Sequence, residues 1–330
     1  MGIQHPYLGR KGIIMKYAIG IDLGGTFIKY AVIDEEGHFL YNGKLPSLAS
    51  TSKEAVIGQL KSAATECIHF ANTANITLCG IGIGTPGITD ETNRRVLGGA
   101  ENIAGWENVP LADILEKETG LPVSVANDAN MMGLGEQAFG AAKGCSDVLF
   151  ITVGTGIGGA IIIDSRLYGG YKNRGTEIGH IPLIANGEPC ACGSVGCLET
   201  YASTTALVRR FVRRCKEESI QLEREPDGKS IIKLYLESHP VAVESMNEHW
   251  SFLGHGIAGL VNIFSPQKIV IGGGISEAGD FYIARIEQEV ALYSIADCRV
   301  NTKICAAMLG NKAGTMGAAR MAFLLSKNKK

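Results

Sequence analysis

Residues 17–34 read YAIGIDLGGTFIKYAVID, in which two apolar strands flank a glycine turn that runs from Asp22 to Thr26. Alternating apolar residues on both sides of such a turn predict a β-hairpin. A second segment of this type, VLFITVGTGIGGAIIID, occupies residues 148–164 and turns at Gly154. Two matching hairpins roughly 130 residues apart indicate an internal duplication, with one glycine turn in each half.

The remaining segments alternate between strand and helix patterns, which predicts an α/β fold. A capping box formed by Thr51 and Glu54 is expected to start the first helix. Residues 165–198 are rich in glycine and are predicted to form loops. The predicted helices are 53–72, 127–140, several within 200–264, 281–292 and 313–325, and the further predicted strands are 79–84, 121–126, 268–271 and 300–306.

The composition favours a globular protein that binds small anions rather than polyanions. The 330 residues are 45% hydrophobic, and 31 Lys and Arg stand against 33 Asp and Glu. This balance argues against a nucleic-acid partner, which would require clustered positive charge. Of these residues 43 are glycine, roughly twice the usual share. Tight glycine turns bring backbone N–H groups to phosphate oxygens, so the excess fits a phosphate-binding protein.

The ends of the chain and its cysteines predict a cytoplasmic location. No run reaches the ~18 apolar residues of a membrane span, and the start lacks the apolar segment of a signal peptide. We therefore expect no membrane partner. Met15 precedes the first strand and is an alternative start, which would make residues 1–14 an extension. The nine cysteines are an odd number and do not suggest a disulfide framework.

Three of the cysteines form the most specific local pattern, Cys190-Ala-Cys192-Gly-Ser-Val-Gly-Cys197, which His180 precedes. Three thiolates and one imidazole make a Cys₃His set that could close a tetrahedral zinc site, and four protein ligands indicate a structural zinc. The alternative is a reactive or disulfide-forming cluster, which a reducing cytoplasm disfavours. A zinc-bound imidazole offers its second nitrogen to an acceptor, which could be a substrate hydroxyl.

Several glycine turns are candidate phosphate sites. The two hairpin turns each combine backbone N–H groups with a threonine hydroxyl, and Gly272-Gly273-Gly274 follows a predicted strand. None of them has a Walker A sequence, and a strand rather than a helix follows the first turn, so a dinucleotide fingerprint is excluded. Asp128 falls where a predicted strand ends and a helix begins, which is where open α/β sheets bind ligands.

The run Arg209-Arg210-Phe-Val-Arg213-Arg214 could face phosphate because of its helical spacing. Four glutamates follow it within about a dozen residues, so a solvated helix face is the favoured interpretation.

Taken together, these segments resemble the ROK family of sugar kinases, open reading frames and repressors. Glu177-x-x-His180 with Cys190-x-Cys192-Gly-x-x-Gly-Cys197-x-Glu199 is the family's most specific signature, and every position is filled. The resemblance implies the two-lobed actin-like (RNase H-like) fold of sugar kinases and heat-shock-protein ATPases, with duplicated domains. It places an N-terminal lobe at 15–126 plus 313–330 and a C-terminal lobe at 127–312, which includes a zinc loop at 177–199.

The resemblance also implies roles for individual residues, with Asp128 as the general base that takes the proton of the attacking hydroxyl. In the stretch Asn102-Ile-Ala104-Gly-Trp106, Ala104 stands where a common family form has proline. Hexose contacts are implied for Gly87, Asn102, Asn127, Asp128, Glu177, His180 and Glu199. Contacts with the ATP phosphates and Mg²⁺ are implied for Asp22, Gly24, Gly25, Thr26, Lys29, Thr155 and Gly156, and contacts with adenosine for Gly273 and Gly274.

The expected activity is ATP-dependent phosphorylation of a hexose at its 6-hydroxyl, with glucose as the expected sugar. Only 21 residues precede Asp22, too few for the winged helix-turn-helix of the repressors, which favours the kinase branch. N-acetylmannosamine, N-acetylglucosamine, fructose and allose remain alternative substrates, because selectivity at C2 depends on the pocket around 85–88 and 98–102. A non-catalytic sugar sensor is the alternative from another class. The resemblance further implies a homodimer or a homotetramer.

Overall fold

A computed structural model of the chain describes residues 15–100 and 102–327, so the interpretation of residues 1–14 lies outside the described residues. The chain forms two compact units. The first falls within Met1–Met131 and Gly314–Lys330, and the second is Met132–Ala313. Each unit contains one five-stranded sheet with helices, which confirms the predicted α/β class.

The sheet of the first unit has the strand order β3-β2-β1-β4-β7. β1 and β2 form the predicted antiparallel hairpin, β3 is antiparallel to β2, and β4 and β7 continue the sheet in parallel. The elements are β1 (Tyr17–Leu23), β2 (Phe27–Asp34), β3 (Phe39–Pro46), α1 (Lys53–Thr73), β4 (Leu78–Thr85), β5 (Ile88–Thr89), β6 (Val96–Gly98), α2 (Leu111–Thr119), β7 (Val123–Asn127) and α3 (Asp128–Phe139), which continues into the second unit.

The sheet of the second unit has the order β10-β9-β8-β11-β12 and repeats the strand directions of the first. The predicted duplication is therefore present in the topology. The elements are β8 (Val148–Val153), β9 (Ile157–Ile163), β10 (Arg166–Tyr168), α4 (Leu198–Ala202), α5 (Thr204–Glu217), α6 (Gly228–Leu236), α7 (Pro240–Phe264), β11 (Lys268–Gly272), α8 (Asp280–Tyr293), α9 (Ala296–Arg299) and β12 (Lys303–Ala306). Short 3₁₀ helices lie at Tyr171–Asn173, Ile178–His180, Gly274–Ala278 and Gly310–Lys312, and α10 (Ala313–Lys327) follows.

Two glycines explain how α10 packs on the first sheet. A Cβ atom at Gly20 in β1 would lie 2.0 Å from the carbonyl oxygen of Thr315, and one at Gly82 in β4 would lie 1.8 Å from that of Ala318. Only glycine therefore lets the helix backbone approach the strands this closely. The approach brings the start of α10 beside Asp22, because a Cβ at Gly314 would lie 2.7 Å from the Asp22 carboxyl carbon.

The start of α1 differs from the predicted capping box. Ser52 is the N-cap residue, and its side chain accepts a hydrogen bond from the backbone N–H of Ala55. Thr51 instead belongs to the preceding turn, where its N–H donates to the Leu48 carbonyl. The Thr51 and Glu54 box is therefore wrong by one residue, while the apolar face of the helix is buried as its spacing requires.

Two further predictions in the second unit are corrected. The strand predicted at 300–306 begins only at Lys303. Residues 296–299 form α9, and the chain then makes a turn in which the Thr302 N–H donates to the Arg299 carbonyl. In α5, Arg210 is only 6% exposed, and Arg214 pairs with Glu248 of α7 at 2.5 Å. The solvated face is thus wrong for these two arginines, which lie four residues apart and so share the face that α7 covers.

Candidate active site

The first glycine turn joins β1 to β2 and exposes Gly25 and Thr26. The Gly24 N–H donates to the Phe27 carbonyl at 3.0 Å and closes the turn. Ser47 braces it from the end of β3, because its hydroxyl donates to the Gly25 carbonyl at 2.7 Å and its N–H donates to the Thr26 carbonyl at 2.9 Å. The threonine hydroxyl and the glycine backbone are thus presented at the surface of this unit.

Asp22 precedes this turn, and its side chain is largely buried. Burial raises the pKa of the Asp22 carboxyl, and the charge of Lys29, its register partner on β2, offsets part of that rise. A buried carboxylate with one nearby cation fits a site for a second cation, and carboxylates are the usual protein ligands of Mg²⁺. Asp22 and Lys29 therefore lie side by side on adjacent strands at the start of the first glycine turn.

Asn127 and Asp128 stand at the junction of β7 and α3. The Asn127 side chain caps the helix, since its oxygen accepts from the N–H groups of Ala129 at 2.9 Å and Asn130 at 3.3 Å. Its amide nitrogen donates to the Gly87 carbonyl at 3.1 Å and ties the loop after β4 to this junction. One Asp128 oxygen accepts from the Ala129 N–H at 2.8 Å, and the side chain is half-buried.

The loop that follows β4 is fixed by a buried tryptophan. The Trp106 indole N–H donates to the Thr85 hydroxyl at 2.9 Å, and both side chains are buried. Gly87 has a φ of 91°, which suits glycine, and leads into the β5-β6 hairpin. Asn102 is exposed, and its amide nitrogen lies 3.7 Å from the place a Cβ would occupy at Gly25. Asn102 therefore lies next to the first glycine turn.

The second glycine turn joins β8 to β9 and exposes Thr155. The Gly154 N–H donates to the Gly156 carbonyl at 2.9 Å, and the Gly154 carbonyl accepts from the Thr204 N–H at 2.9 Å. Its last N–H, on Ile157, donates to Oε2 of Glu199 at 2.8 Å. The structure thus brings Glu199, which the resemblance assigned to the hexose, into contact with the turn of Thr155 and Gly156, which it assigned to ATP.

A cavity of about 380 Å³ opens beside this turn. Gly273, with a φ of 91°, packs against the end of β8, where a Cβ would lie 2.1 Å from the Val153 carbonyl oxygen. The adjacent Gly274 lines the cavity. The full lining consists of Gly154, Thr155, Thr204, Thr205, Val208, Pro226, Asp227, Gly228, Lys229, Gly274 and Ile275.

The sequence reasoning missed the part of this lining that α5 and α6 contribute, above all Thr204 and Lys229. One local signal was present. Asp227 and Ser230 form a reciprocal capping box at the start of α6, and its Asp-x-x-Ser spacing is legible in the sequence. It predicts a helix start, but the closeness of that start to the glycine turn follows only from the tertiary structure.

The Cys₃His set is assembled in the second unit. Its four ligand atoms lie within 4.8 Å of one another. The Cys190 sulfur is 3.6 Å from His180 Nδ1, and the sulfurs of Cys192 and Cys197 are 3.7 Å apart. Tetrahedral zinc with ordinary bond lengths requires about 3.6 Å between sulfur and nitrogen and about 3.8 Å between two sulfurs. The residues present therefore fit a zinc ion.

The loop that carries these ligands depends on two glycines in the left-handed region, Gly193 at φ 88° and Gly196 at φ 74°. Burial raises the pKa of the Cys190 thiol, but hydrogen bonds with the Cys192 backbone, the Thr200 side chain and the thiols of Cys192 and Cys197 together outweigh it and lower the pKa to about 7. The thiolate is the form that binds a metal. With Nδ1 of His180 on the sulfur side, Nε2 is the nitrogen left for a second partner.

Glu177 precedes the 3₁₀ helix at Ile178–His180, and its side chain is exposed. The site residues thus form two groups. The first unit holds Asp22, Gly24, Gly25, Thr26, Lys29, Gly87, Asn102, Asn127 and Asp128, and the second unit holds the others. Among residues 15–100 and 102–327, no helix has the length and apolar character needed to cross a bilayer.

Comparison with known proteins gives one family and close relatives. The sequence profile of the ROK family matches residues 18–324. A glucokinase from Streptomyces coelicolor is 38% identical over 93% of this chain and 98% of that protein. A xylose repressor from Caldicellulosiruptor bescii is 31% identical over 92% of this chain and 77% of that protein.

Among solved structures, a ROK family glucokinase from Streptomyces griseus, crystallised with glucose and AMPPNP, is 35% identical and superposes with a TM-score of 0.77. The match covers 93% of this chain and 99% of that one. A ROK hexokinase from Thermus thermophilus is 32% identical with a TM-score of 0.82, over 94% and 99% of the two chains. These neighbours confirm the predicted two-lobed actin-like fold.

Proposed function

This chain belongs to the ROK family and is an ATP-dependent sugar kinase, and from that premise we propose that it transfers the γ-phosphoryl group of ATP to the 6-hydroxyl of glucose. Phosphoryl transfer requires in-line positioning, neutralisation of the phosphate charge and a base near the attacking hydroxyl. The chain offers residues for each of these requirements.

Asp128 is the proposed general base. The assignment rests on the observation that its neighbour Asn127, and not Asp128, is the main cap of α3. Asn127 already supplies the cap of α3 through its bonds to Ala129 and Asn130. The Asp128 carboxylate is therefore not needed as the main cap, yet it stands at the carboxyl end of a parallel strand, where open sheets bind ligands. It would accept the proton of the 6-hydroxyl as that oxygen attacks phosphorus.

The ATP site is proposed at the glycine turns and the cavity beside the second turn. Backbone N–H groups and hydroxyls of Thr26 and Thr155 would contact the phosphates, and Gly273 and Gly274 would border the adenosine. The cavity of about 380 Å³ supports this placement, since Thr155 and Gly274 both line it. Mg²⁺ would be held through Asp22, and when bound it would neutralise charge on the phosphate oxygens.

A structural zinc is proposed at His180, Cys190, Cys192 and Cys197, on the support of the ligand separations. Four protein ligands leave no open position, so the ion would order the loop rather than activate a substrate. Glu177, Glu199 and Nε2 of His180 would then contact the other hexose hydroxyls, together with Gly87, Asn102 and Asn127. A cytoplasmic location and a homodimer or homotetramer complete the proposal.

The choice of glucose is supported by the relatives named glucokinase and by the complex of one of them with glucose. N-acetylmannosamine, N-acetylglucosamine, fructose and allose remain alternative substrates of the same chemistry. The similarity to a xylose repressor favours one candidate from another class, a sugar sensor without catalysis. An ADP-release assay over hexoses and N-acetylhexosamines separates these cases, because a sensor would release no ADP with any sugar.

The decisive variant is Asp128→Asn. Asparagine keeps the shape and can hydrogen-bond the sugar but cannot accept a proton at neutral pH, so kcat should fall by about 10²–10⁴. The dissociation constant for glucose, measured without nucleotide, should change little. Asp113→Asn, at an exposed acid in the first turn of α2, is the matched control and should keep wild-type kcat. An Asp128→Asn enzyme with more than about a tenth of wild-type kcat would exclude this residue as the base.

A further inference from the structure

Glu199 lies in the first turn of α4, and its carboxylate contacts the second glycine turn directly. Oε2 accepts a hydrogen bond from the Ile157 N–H at 2.8 Å. The same oxygen lies 2.2 Å from the place that a Cβ would take at Gly156, and Oε1 lies 3.7 Å from it. The carboxylate is therefore pressed against the turn at a position where only glycine leaves room for it.

A single segment, residues 197–204, holds this turn at both ends. The Thr204 N–H donates a hydrogen bond to the Gly154 carbonyl, and the Glu199 carboxylate accepts one from the Ile157 N–H. The segment begins at the thiol of Cys197 and is joined to the 3₁₀ helix of His180 through the Leu198 N–H, which donates to the Ile181 carbonyl at 3.0 Å. The conformation of the turn is thus linked to the loop of the Cys₃His set.

We propose that Glu199 is a positioning residue for the nucleotide, which holds turn 154–157 in its phosphate-binding conformation through Oε2 while Oε1 serves the hexose. This inference rests on the proposed ATP site at that turn. One carboxylate would then connect the hexose contacts, the Cys₃His loop and the phosphate contacts of the second unit. By linkage, whatever orders Glu199 would also favour nucleotide binding.

The role belongs to the acceptor oxygen and not to the negative charge. A carboxylate beside bound phosphates is electrostatically unfavourable in itself, so charge alone would make Glu199 a poor choice at this position. Its hydrogen bond to a backbone N–H is the feature that a turn needs. Glutamine retains an acceptor oxygen of the same reach, whereas alanine retains none.

The first experiment titrates Mg²⁺ with AMPPNP into hexose-free protein by calorimetry. Glu199→Ala should weaken binding on the order of 10- to 100-fold, the range for a hydrogen bond to a charged group. Glu199→Gln should stay within about threefold of wild type, as should Glu188→Ala, which removes a carboxylate of the same loop that pairs with Arg209. Wild-type affinity in Glu199→Ala, or a loss in Glu199→Gln or Glu188→Ala as large as the loss in Glu199→Ala, would overturn the proposal.

A second variant covers the case in which Glu199→Ala fails to fold. Gly156→Ala places a methyl group where Oε2 lies and should displace the carboxylate from the other side, with a similar loss of AMPPNP affinity. Wild-type AMPPNP affinity in Gly156→Ala would overturn the proposal on its own. Because the expected loss acts through Glu199, adding Gly156→Ala to a Glu199→Ala protein that does fold should cost nothing further. Losses that add would mean that the methyl group acts on the nucleotide alone and would overturn the inference.

The two levels of the proposal fail in different ways. If the wild-type protein binds no AMPPNP and phosphorylates no sugar, the proposed function is wrong. If the wild-type protein does both and Glu199→Ala binds AMPPNP as tightly, the kinase assignment stands and only the role of Glu199 falls.

Discussion

The two glycine turns occupy equivalent places in sheets of the same topology, but they are supported in different ways. The turn between β1 and β2 is braced by Ser47, which lies 22 residues after Gly25 and directly follows β3. It also carries its own acid, Asp22. The turn between β8 and β9 has no acid of its own and is held by Glu199 and Thr204, beyond the Cys₃His loop.

The first turn is therefore supported by its own part of the sheet, whereas the support of the second turn depends on another loop. Ser47 belongs to the same meander as the turn it braces, so the first turn forms whenever that three-stranded meander forms. The second turn is held by a segment that directly follows the loop at 177–199 and bonds to it through the Leu198 N–H, so we expect this support to weaken if the loop unfolds. Duplicated topology therefore places one proposed phosphate contact on a permanent framework and the other on a framework that the proposed metal would complete.

Loss of the metal set should have the largest effect, because it should release the second turn and leave the first intact. Structural zinc sites contribute on the order of 10 kcal/mol in small peptides, so Cys197→Ser should lose its zinc and unfold the loop locally. Hydrogen exchange should then accelerate at the bonded amides of Gly154 and Ile157 and stay unchanged at those of Gly24 and Ser47. Metal analysis of the parent protein should find about one zinc ion per chain.

Cys298→Ser is the control for this experiment, because Cys298 is a half-buried thiol of α9 outside the Cys₃His set. It should keep the zinc and the slow exchange of both turns. If active protein that was never exposed to a chelator contains no zinc, the claim that zinc supports the second turn is wrong. Equal acceleration in both turns would show that their supports are not independent.

Paired threonine variants test whether the two turns share one function despite their different supports. Thr26→Val and Thr155→Val each remove one hydroxyl that would donate to a charged phosphate, a bond worth about 1.5–3 kcal/mol. Each should therefore raise the KM for ATP by about 10- to 100-fold. Hexose binding without nucleotide should stay close to wild type in both.

Thr73→Val, at an exposed threonine near the end of α1, controls for the substitution itself and should leave the KM for ATP unchanged. If either turn variant lost hexose and nucleotide affinity equally, that turn would be a structural element and not a phosphate contact. If only one of the two changed the KM for ATP, the functional equivalence of the turns would be lost.

The same distinction between local and distant contacts decides what the sequence could predict. Both hairpins and α1 depend on turn chemistry and apolar period, which are local properties. The Cys₃His set was predictable from ligand spacing, since Cys190, Cys192 and Cys197 lie within eight residues. The family resemblance then supplied the fold and the kinase chemistry, which the comparisons confirm.

The parts that the sequence did not predict depend on contacts between distant segments. Arg210 and Arg214 are covered because α7 packs on α5, and the charge pattern of α5 alone does not show which face is covered. The cavity needs the start of α6 to lie beside Gly274. The bond from Ile157 to Glu199 spans 42 residues, so a signature that assigned Glu199 to the hexose gave no indication of its second contact.

Ser47→Ala is the smallest expected change and the sharpest test of local support. Ser47 is buried, and its hydroxyl donates one neutral hydrogen bond to the Gly25 carbonyl and accepts a long one, 3.4 Å, from the Ala49 N–H, so the variant should lose only about 0.5–1.5 kcal/mol of stability in urea unfolding. The remaining N–H bond from Ser47 to Thr26 keeps the turn closed, and the KM for ATP should rise no more than about tenfold. Ser62→Ala, which removes an exposed hydroxyl bonded to Gly58 on α1, should change neither quantity. A rise in KM as large as the loss of AMPPNP affinity expected for Glu199→Ala would show that the first turn also depends on a single side chain, and the contrast between a permanent and a conditional framework would be wrong.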